Sequence, residues 1–285
     1  FLILTVILHY APTGFEERVN RDAVRCRGEI IRADDSLVHQ YGIVRTGIQN
    51  LDVKLLDGPF AGRVVDASNE ILGKMEIDKV FRPGDTAFMV LSVVDGRIAH
   101  AHAQDHYRLD AQLLLFAVFA LALLAYAGWS GVKALLSFVF SAYVIWKVLV
   151  PACLRGHDPV LISLGVTAAV MAATLFLVGG AGRTALTAYL GSLLGVGAAC
   201  ALAFLFAGPF NLSGAVVPYS ETVLYSGFPH LDLTRVFLAT IFIAASGAIM
   251  DLAMDVAAHM RELACQRPGV GRRELVGSGL RVGRA

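Results

Sequence analysis

Two aspartates, Asp251 and Asp255, lie four residues apart in an apolar stretch near the carboxyl end of the 285-residue chain. At this spacing both carboxylates project from one face of a helix. A carboxylate within a bilayer costs about 2.5–3.5 kcal/mol even on insertion scales, so the pair should face a bundle, a water-filled cavity or the cytoplasmic interface. Burial and mutual repulsion would both favour binding of a proton or cation. The pair predicts an ion or proton pathway; alternatively, Asp255 lies at headgroup depth and Asp251 hydrogen-bonds a neighbouring helix.

A second group of side chains that could bind a ligand comprises His100, His102, Asp105 and His106. In a strand His100 and His102 share a face, and Asp105 with His106 could complete a zinc- or copper-type site. The alternative is a solvated segment next to the membrane, with imidazoles at the level of the lipid headgroups. The sequence contains no HExxH, GxSxG or phosphate-binding glycine loop, so it predicts neither an enzyme nor an organic cofactor.

Small residues recur at four-residue spacing in two apolar stretches. Gly191 and Gly195 lie in one of them, and Ala244 and Ala248, with Gly247, lie in the other. Small side chains let the backbones of membrane helices approach closely. These residues therefore predict helix packing, which would place Asp251 near the core of the bundle.

The charged residues are distributed very unevenly along the chain. Residues 1–110 hold 29 of the 47 charged side chains, residues 255–285 hold nine, and the 144 residues between them also hold nine. A soluble fold cannot cover such a stretch, so lipid is the predicted surrounding of most of the chain. The net charge of +1 gives no field that would recruit nucleic acid.

Hydropathy and turn signals divide the chain into four parts. The predicted fold is an α-helical polytopic membrane bundle of five complete spans and a partial N-terminal one, with a small β-barrel-like extracytoplasmic domain. The parts are the end of a truncated transmembrane helix (1–9), the β-rich domain with six candidate strands (10–109), the five-span bundle (110–257) and a basic amphipathic segment leading to missing helices (258–285). The five spans are predicted near Ala111–Trp129, Ala134–Cys153, Val160–Val178, Thr184–Ala207 and Thr234–Ala257.

The Lys and Arg residues of the short loops predict the orientation. With the β-domain outside, the cytoplasmic side receives Lys133, Arg183 and six arginines of residues 258–285, whereas the outer side receives only Lys147 and Arg155. Positive charge favours the cytoplasmic side. Residues 10–109 are therefore predicted to be extracytoplasmic and residues 258–285 cytoplasmic.

Four segments resemble the YibE/F-like family of bacterial multi-pass membrane proteins. They are Gly58–Arg63, Lys79–Asp85, the Gly247-Ala-Ile-Met-Asp-Leu-Ala-Met run and Glu274–Arg284 with its Gly-Ser-Gly centre. The resemblance implies an inner- or plasma-membrane protein with an extracytoplasmic β-domain and a transport-like activity. Asp255 departs from the family pattern, which has a small or hydroxylated residue there, so no role for it is inherited.

Two hypotheses follow from these observations. The first is transport that is linked to an ion or proton, with Asp251 in the pathway. The second is an envelope scaffold or sensor that transports nothing, in which the β-domain binds an extracytoplasmic partner and the helices anchor the chain or form a homo-oligomer.

Overall fold

The computed structural model describes residues 1–15, 23–75, 77–217 and 219–284. The chain divides into two compact units. One, called the barrel unit below, is Glu17–Phe119; the other, called the helical unit, is Phe1–Glu16 together with Ala120–Ala285.

The barrel unit is built from five strands that form a closed barrel in the order β1-β2-β3-β5-β4. Their bounds are Ala23–Tyr41 (β1), Val44–Leu55 (β2), Val64–Leu72 (β3), Thr86–Val94 (β4) and Arg97–His106 (β5). The prediction of a small barrel is confirmed, with five strands rather than six because two candidates merge in β2. A short helix was expected at either Asp35–His39 or Ile71–Val80. The first of these ranges lies inside β1, and the second includes Glu76, which lies outside the described residues.

Alternating residues fill the interior of the barrel. Leu51, Val53 and Leu55 of β2 are at most 2% exposed, and Met89 and Leu91 of β4 are fully buried. The period of two follows from the pleat of a strand, which sends successive side chains to opposite faces. Closure also leaves fewer exposed sheet edges than an open sheet would, which suits a chain segment of about 100 residues.

A polar network closes one end of this core around Gln49, which is completely buried. Its Nε2 donates to Phe81 O (2.9 Å) and to Asp35 Oδ1 (2.7 Å). Its Oε1 accepts from Phe81 N (3.0 Å) and from Asn69 Nδ2 (3.1 Å). Because both ends of the amide are satisfied, the network holds Phe81, itself 1% exposed, over the core.

Arg27 on β1 connects the barrel to the helix that follows it. Its Nε donates to Asp57 Oδ2 (2.7 Å), its NH1 lies 3.6 Å from Asp110 Oδ2, and its guanidinium lies over the ring of Tyr107. Asp57 precedes Gly58, and Asp110 is in the first turn of the helix, where a carboxylate is favoured. These contacts explain why the beginning of the first long helix belongs to the barrel unit.

The remaining described residues are mainly helical. The helices are α1 (Leu2–Tyr10), α2 (Leu109–Val144), α3 (Val150–Leu154), α4 (Pro159–Val178), α5 (Arg183–Ala207), α6 (Ser220–Tyr225), α7 (Leu233–Gln266) and α8 (Arg272–Val282), with a π-helical turn at Ile145–Leu149 and a 3₁₀ turn at Gly214–Val216. Pro151 has no N–H to donate to Lys147 O, which gives a physical reason for the π-turn.

Four helical runs of the described residues are long and apolar enough to cross a membrane: Leu109–Leu154, Pro159–Val178, Arg183–Ala207 and Leu233–Gln266. The sequence predicts five complete spans, and the structure has four such runs. The first two predicted spans form a single helical run that is interrupted at Gly128, whose φ of 52° and ψ of −125° are not helical. A glycine can adopt this conformation, so the chain needs no separate loop between the two segments.

The bend at Gly128 is sharp. A Cβ atom placed on Gly131 would lie 2.7 Å from the carbonyl oxygen of Leu123. In a straight helix, residues eight positions apart are separated by about 12 Å along the axis. The segments before and after Gly128 therefore approach each other.

Basic side chains of the helical unit cap the end of α1. Lys147 Nζ donates to Ala11 O (2.9 Å), and the Arg155 guanidinium donates to Thr13 O (2.8 Å). Carbonyls at a helix end lack intrahelical partners and carry partial negative charge, so cations stabilise them. Lys147 thus binds a defined acceptor within its own unit.

Candidate functional site

The two predicted carboxylates lie on α7, a helix that begins at a strong capping residue. Asp232 precedes its first turn, and its Oδ1 accepts a hydrogen bond from Arg235 N (3.1 Å). The helix has 34 residues and is therefore about 51 Å long. This exceeds the roughly 30 Å of hydrocarbon in a bilayer, so α7 is long enough to cross and extend beyond it.

Both carboxylates are exposed on the surface of the helical unit. Among the described residues, neither Asp251 nor Asp255 has a hydrogen bond or an ion pair with another side chain. The structure thus keeps the two on one helical face, as their spacing predicts. It does not place them inside the bundle formed by the described helices.

The packing of α5 against α7 explains this orientation. A Cβ on Gly195 would lie 2.7 Å from Cγ2 of Ile249, and one on Gly191 would lie 3.9 Å from Cβ of Ala253. The two glycines therefore bring α5 close to α7, as their spacing predicts. Asp251 comes two residues after Ile249, about 200° round the helix, and so points away from this contact.

The small residues Ala244, Gly247 and Ala248 lie on the same exposed face as Asp251. A Cβ on Gly247 would have no atom within 4 Å among the described residues. The expected packing at these three residues is therefore not made by the described helices. Because their side chains are small, the surface of α7 beside Asp251 has little steric bulk.

The ends of the neighbouring helices indicate how deep Asp251 lies. Leu175, near the end of α4, packs with Ala188 of α5 and Ala257 of α7, and Met254 contacts the same cluster. Helix α4 ends at Val178. Asp251 lies about one helical turn from Met254 on the side of the apolar span, and Asp255 lies beside Met254, at the level where α4 ends.

The histidine-rich segment does not form the predicted metal site. His100 and His102 are exposed on β5, and His102 Nδ1 lies 2.9 Å from Ser68 Oγ. A register shift between Phe88 and Met89 of β4 inserts an extra residue into β5. His106 is thereby turned toward the barrel end, where its ring centroid is 4.7 Å from that of Phe81.

Asp105 is used locally, accepting from His106 N (2.7 Å) and from the Arg108 guanidinium (3.1 Å). The four residues are thus divided between two faces of β5. Within the described residues, no group of three or more His, Cys, Asp or Glu side chains is placed to hold a metal ion.

An ion pair between Arg235 of α7 and Asp158, which precedes α4, was not singled out from the sequence. Asp158 also caps α4, since its Oδ1 accepts from Val160 N (2.9 Å). The signal available in the sequence is Asp158 followed by Pro159, a typical start of a helix. Arg235 gives no comparable local signal because its partner lies 77 residues away.

A family model described as YibE/F-like protein matches residues 115–285, which include most of α2 and all of α3 to α8. No curated protein sequence and no solved structure matches the chain.

Proposed function

We propose that this chain, which belongs to the YibE/F-like protein family, is a membrane protein in which Asp251 takes part in moving a proton or cation. One observation carries the proposal. Asp251 is a carboxylate without a partner among the described residues, on the longest uninterrupted apolar helix, one turn from the level where α4 ends.

The proposed topology places this carboxylate near the cytoplasmic boundary. Helices α4, α5 and α7 run in alternating directions if each crosses the bilayer once. The arginines of residues 258–285 favour the cytoplasm. We place the barrel outside, which requires the segments before and after the bend at Gly128 each to cross the bilayer, so that the four helical runs make five crossings. The inner- or plasma-membrane location rests on the same argument and on family membership.

The chemistry of a carboxylate at that depth supports binding of a cation. An ionised aspartate facing apolar surroundings is costly, and association with a proton or metal cation removes most of that cost. Asp255, one turn further toward the boundary, can pass a cation to or from water. The low bulk of Ala244, Gly247 and Ala248 leaves room beside the pair for a solute or a helix.

Flux in proteoliposomes tests the proposal. Purified protein is reconstituted into vesicles loaded with the pH dye pyranine, and proton entry is followed after a pH jump; Na⁺ and K⁺ fluxes are measured in parallel. We expect a protein-dependent flux of at least one of these ions, with Asp251→Asn abolishing it and Asp251→Glu retaining part of it. The matched control is Glu262→Gln, an exposed acid of α7 two turns beyond Asp255, which should leave the flux unchanged.

Two results would overturn this proposal. One is the absence of protein-dependent flux for all three cations, and the other is equal flux in wild type and Asp251→Asn. Asp255→Asn should have an intermediate effect on the flux, because the side chain of Asp255 lies nearer the membrane boundary. It should slow the flux and not abolish it.

A further inference from the structure

The barrel closes through an unusually short pairing. Strands β3 and β5 are parallel, and the described residues of the two strands have a single Cα pairing, between Ser68 and His102. By contrast, β2 and β3 pair continuously from Thr46–Leu72 to Lys54–Val64. Most of the backbone along the β3–β5 seam therefore has no partner across the seam.

Ser68 divides this seam into a covered half and an open half. Beyond Ser68, the Gln49 network covers it, because Asn69 donates to both Gln49 Oε1 and Lys79 O (2.7 Å). Before Ser68, a groove of about 380 Å³ remains open. We call it the seam groove; its lining includes Ala67, Ala99, Ala101 and the outward side chains of Asn50, Asp52, Asp66 and His100.

A second irregularity of β5 lies inside the groove. A register shift occurs between Ser92 and Val93 of β4, and the extra residue opposite them on β5 is Ala99. Such bulges bend a strand and end its pairing. The bulge therefore explains why β5 does not continue its pairing with β3, and the alanine side chains leave the groove unfilled.

The wall of the seam groove carries two carboxylates that are neighbours across adjacent strands. Asp52 of β2 and Asp66 of β3 are directly opposite in the register, and both point away from the barrel core. Neither has an ion pair or hydrogen bond with another described side chain. Like charges directly opposite on adjacent strands are destabilising. Arg32 of β1 is opposite Asp52 on its other side but forms no ion pair with it among the described side chains, so a positively charged occupant would relieve the repulsion between Asp52 and Asp66.

We propose that the seam groove binds an extended segment of a partner protein, which adds as a strand along the unpaired edge and places a Lys or Arg side chain over Asp66, with Asp52 within its reach. Unpaired strand backbone supplies hydrogen bonds to any extended peptide, and the side-chain pocket supplies selectivity. The aspartate pair supplies charge-assisted hydrogen bonds to an ammonium or guanidinium group. This interaction surface is independent of the proposed role of Asp251.

The experiment uses the full chain in nanodiscs of uncharged phosphatidylcholine. The probe is a fluorescein-labelled octapeptide of alternating Lys and Val, and binding is measured by fluorescence anisotropy. The comparison peptides are an alternating Glu-Val octapeptide and a Lys-Val octapeptide that is N-methylated at alternate residues, which keeps its charge but cannot pair as a strand. We expect the Lys-Val peptide to bind, and both comparison peptides to bind at least about tenfold more weakly.

The protein variants separate the acidic pair from other acidic residues of the barrel. Asp52→Asn combined with Asp66→Asn should weaken Lys-Val binding at least about tenfold. Glu70→Gln is the matched control, because Glu70 is an exposed acid of the same strand beyond Ser68, and it should bind as wild type. Asp251→Asn should also bind as wild type, so this proposal and the transport proposal can fail separately.

Three outcomes would overturn the inference. Equal binding of the N-methylated and unmodified Lys-Val peptides would show attraction by charge without strand addition. Unchanged binding by the Asp52/Asp66 double variant would show that another surface holds the peptide. Binding of Ca²⁺ or Zn²⁺ that depends on both aspartates, with no peptide binding, would make the pair a cation site instead. Equal labelling of the buried Cys26 thiol by a maleimide verifies that the double variant is folded.

Discussion

The barrel unit and the helical unit treat their polar and apolar side chains in opposite ways. In the barrel, Gln49 is completely buried and hydrogen-bonded, and the large apolar residues of β2 and β4 are inside. In the helical unit, Leu194 is 77% exposed and Tyr126 is 94% exposed. None of the most apolar window of Leu109–Leu154 is buried. The barrel is organised for water, whereas the helical unit requires an apolar surrounding, which lipid supplies.

The difference also concerns how each unit obtains a unique structure. The barrel uses directional contacts, since a single amide side chain satisfies groups of three other residues. The helical unit relies on close approach at glycines, because apolar burial gives no net drive between helices that are already in lipid. A variant that removes the Gln49 hydrogen bonds should therefore affect only the barrel unit, and one that blocks the close approach of helices at a glycine should affect only the helical unit.

The largest effect is expected from Gln49→Leu. It removes the partners of Phe81 N–H and Phe81 C=O at a buried position, and each such group costs about 1–3 kcal/mol. We expect the barrel to lose about 3 kcal/mol or more of unfolding free energy. The measurement is maleimide labelling of Cys26 against urea, in a background with Cys153, Cys200 and Cys265 changed to Ser.

Gln104→Leu is the matched control, because Gln104 is exposed on β5. It should leave the urea midpoint unchanged. If Gln49→Leu labels like wild type at every urea concentration, the amide network does not stabilise the barrel.

The next effect concerns the helical unit. Gly195→Leu places a side chain where a Cβ alone would lie 2.7 Å from Ile249 Cγ2, so α5 and α7 must separate. Overpacking of this kind costs typically about 1–3 kcal/mol. We expect a lower thermal unfolding midpoint in detergent with unchanged Cys26 protection, since the barrel is untouched.

Gly197→Leu is the matched control for this contact, because a Cβ on Gly197 has no atom within 4 Å. It should unfold as wild type does. Equal losses for the two glycine variants would point to helix propensity, and not to the α5–α7 contact, as the cause.

The sequence predicts the parts of the molecule that depend on local pattern. Alternation and turn residues are sufficient for a small barrel, which the structure confirms with five strands. A Cβ on Gly195 or on Gly191 would meet α7, and both glycines belong to the four-residue spacing that the sequence shows. The number of spans was not obtained because the bend at Gly128 depends on one backbone conformation and not on a loop of polar residues.

Contacts between segments that are distant in the chain could not be predicted from the sequence. A run of histidines indicates a metal site only if the strand keeps its register, and the extra residue in β5 moves His106 to the other face. The direction in which Asp251 points depends on which face of α7 meets α5, and small residues occur on two faces. Hydrophobic pattern alone does not choose between them.

The third variant, at Gly128, should change the shape of α2 more than the stability of the protein. Gly128→Ala places a Cβ on a backbone with φ of 52° and ψ of −125°, a sparsely populated conformation that costs an L-residue about 1–3 kcal/mol. A continuous helix relieves that strain. Spin labels at the exposed positions Leu121 and Phe138 should therefore move toward the roughly 26 Å spacing of a straight helix.

Pulsed electron spin resonance measures this distance in nanodiscs. Gly197→Ala, at a glycine without positive φ and without close neighbours, is the control and should keep the wild-type distance. An unchanged Leu121–Phe138 distance in Gly128→Ala would show that neighbouring helices, and not the glycine, determine the bend.

The smallest effect is expected from low pH, which should lower the stability of the barrel through Asp57. The Arg27 backbone N–H, at 2.7 Å from Oδ1, and the Arg27 side chain lower the pKa of Asp57 below its ordinary value of 3.8. A carboxyl whose folded pKa is depressed contributes stability above its unfolded pKa and loses it as pH falls through the folded value. The urea midpoint for Cys26 labelling should therefore fall below about pH 4 in wild type, and less steeply in Asp57→Asn. Glu70→Gln, at an exposed carboxylate of β3 without a partner among the described residues, should keep the wild-type slope. Equal slopes for wild type and Asp57→Asn would mean that the Arg27 contacts do not couple this carboxyl to folding.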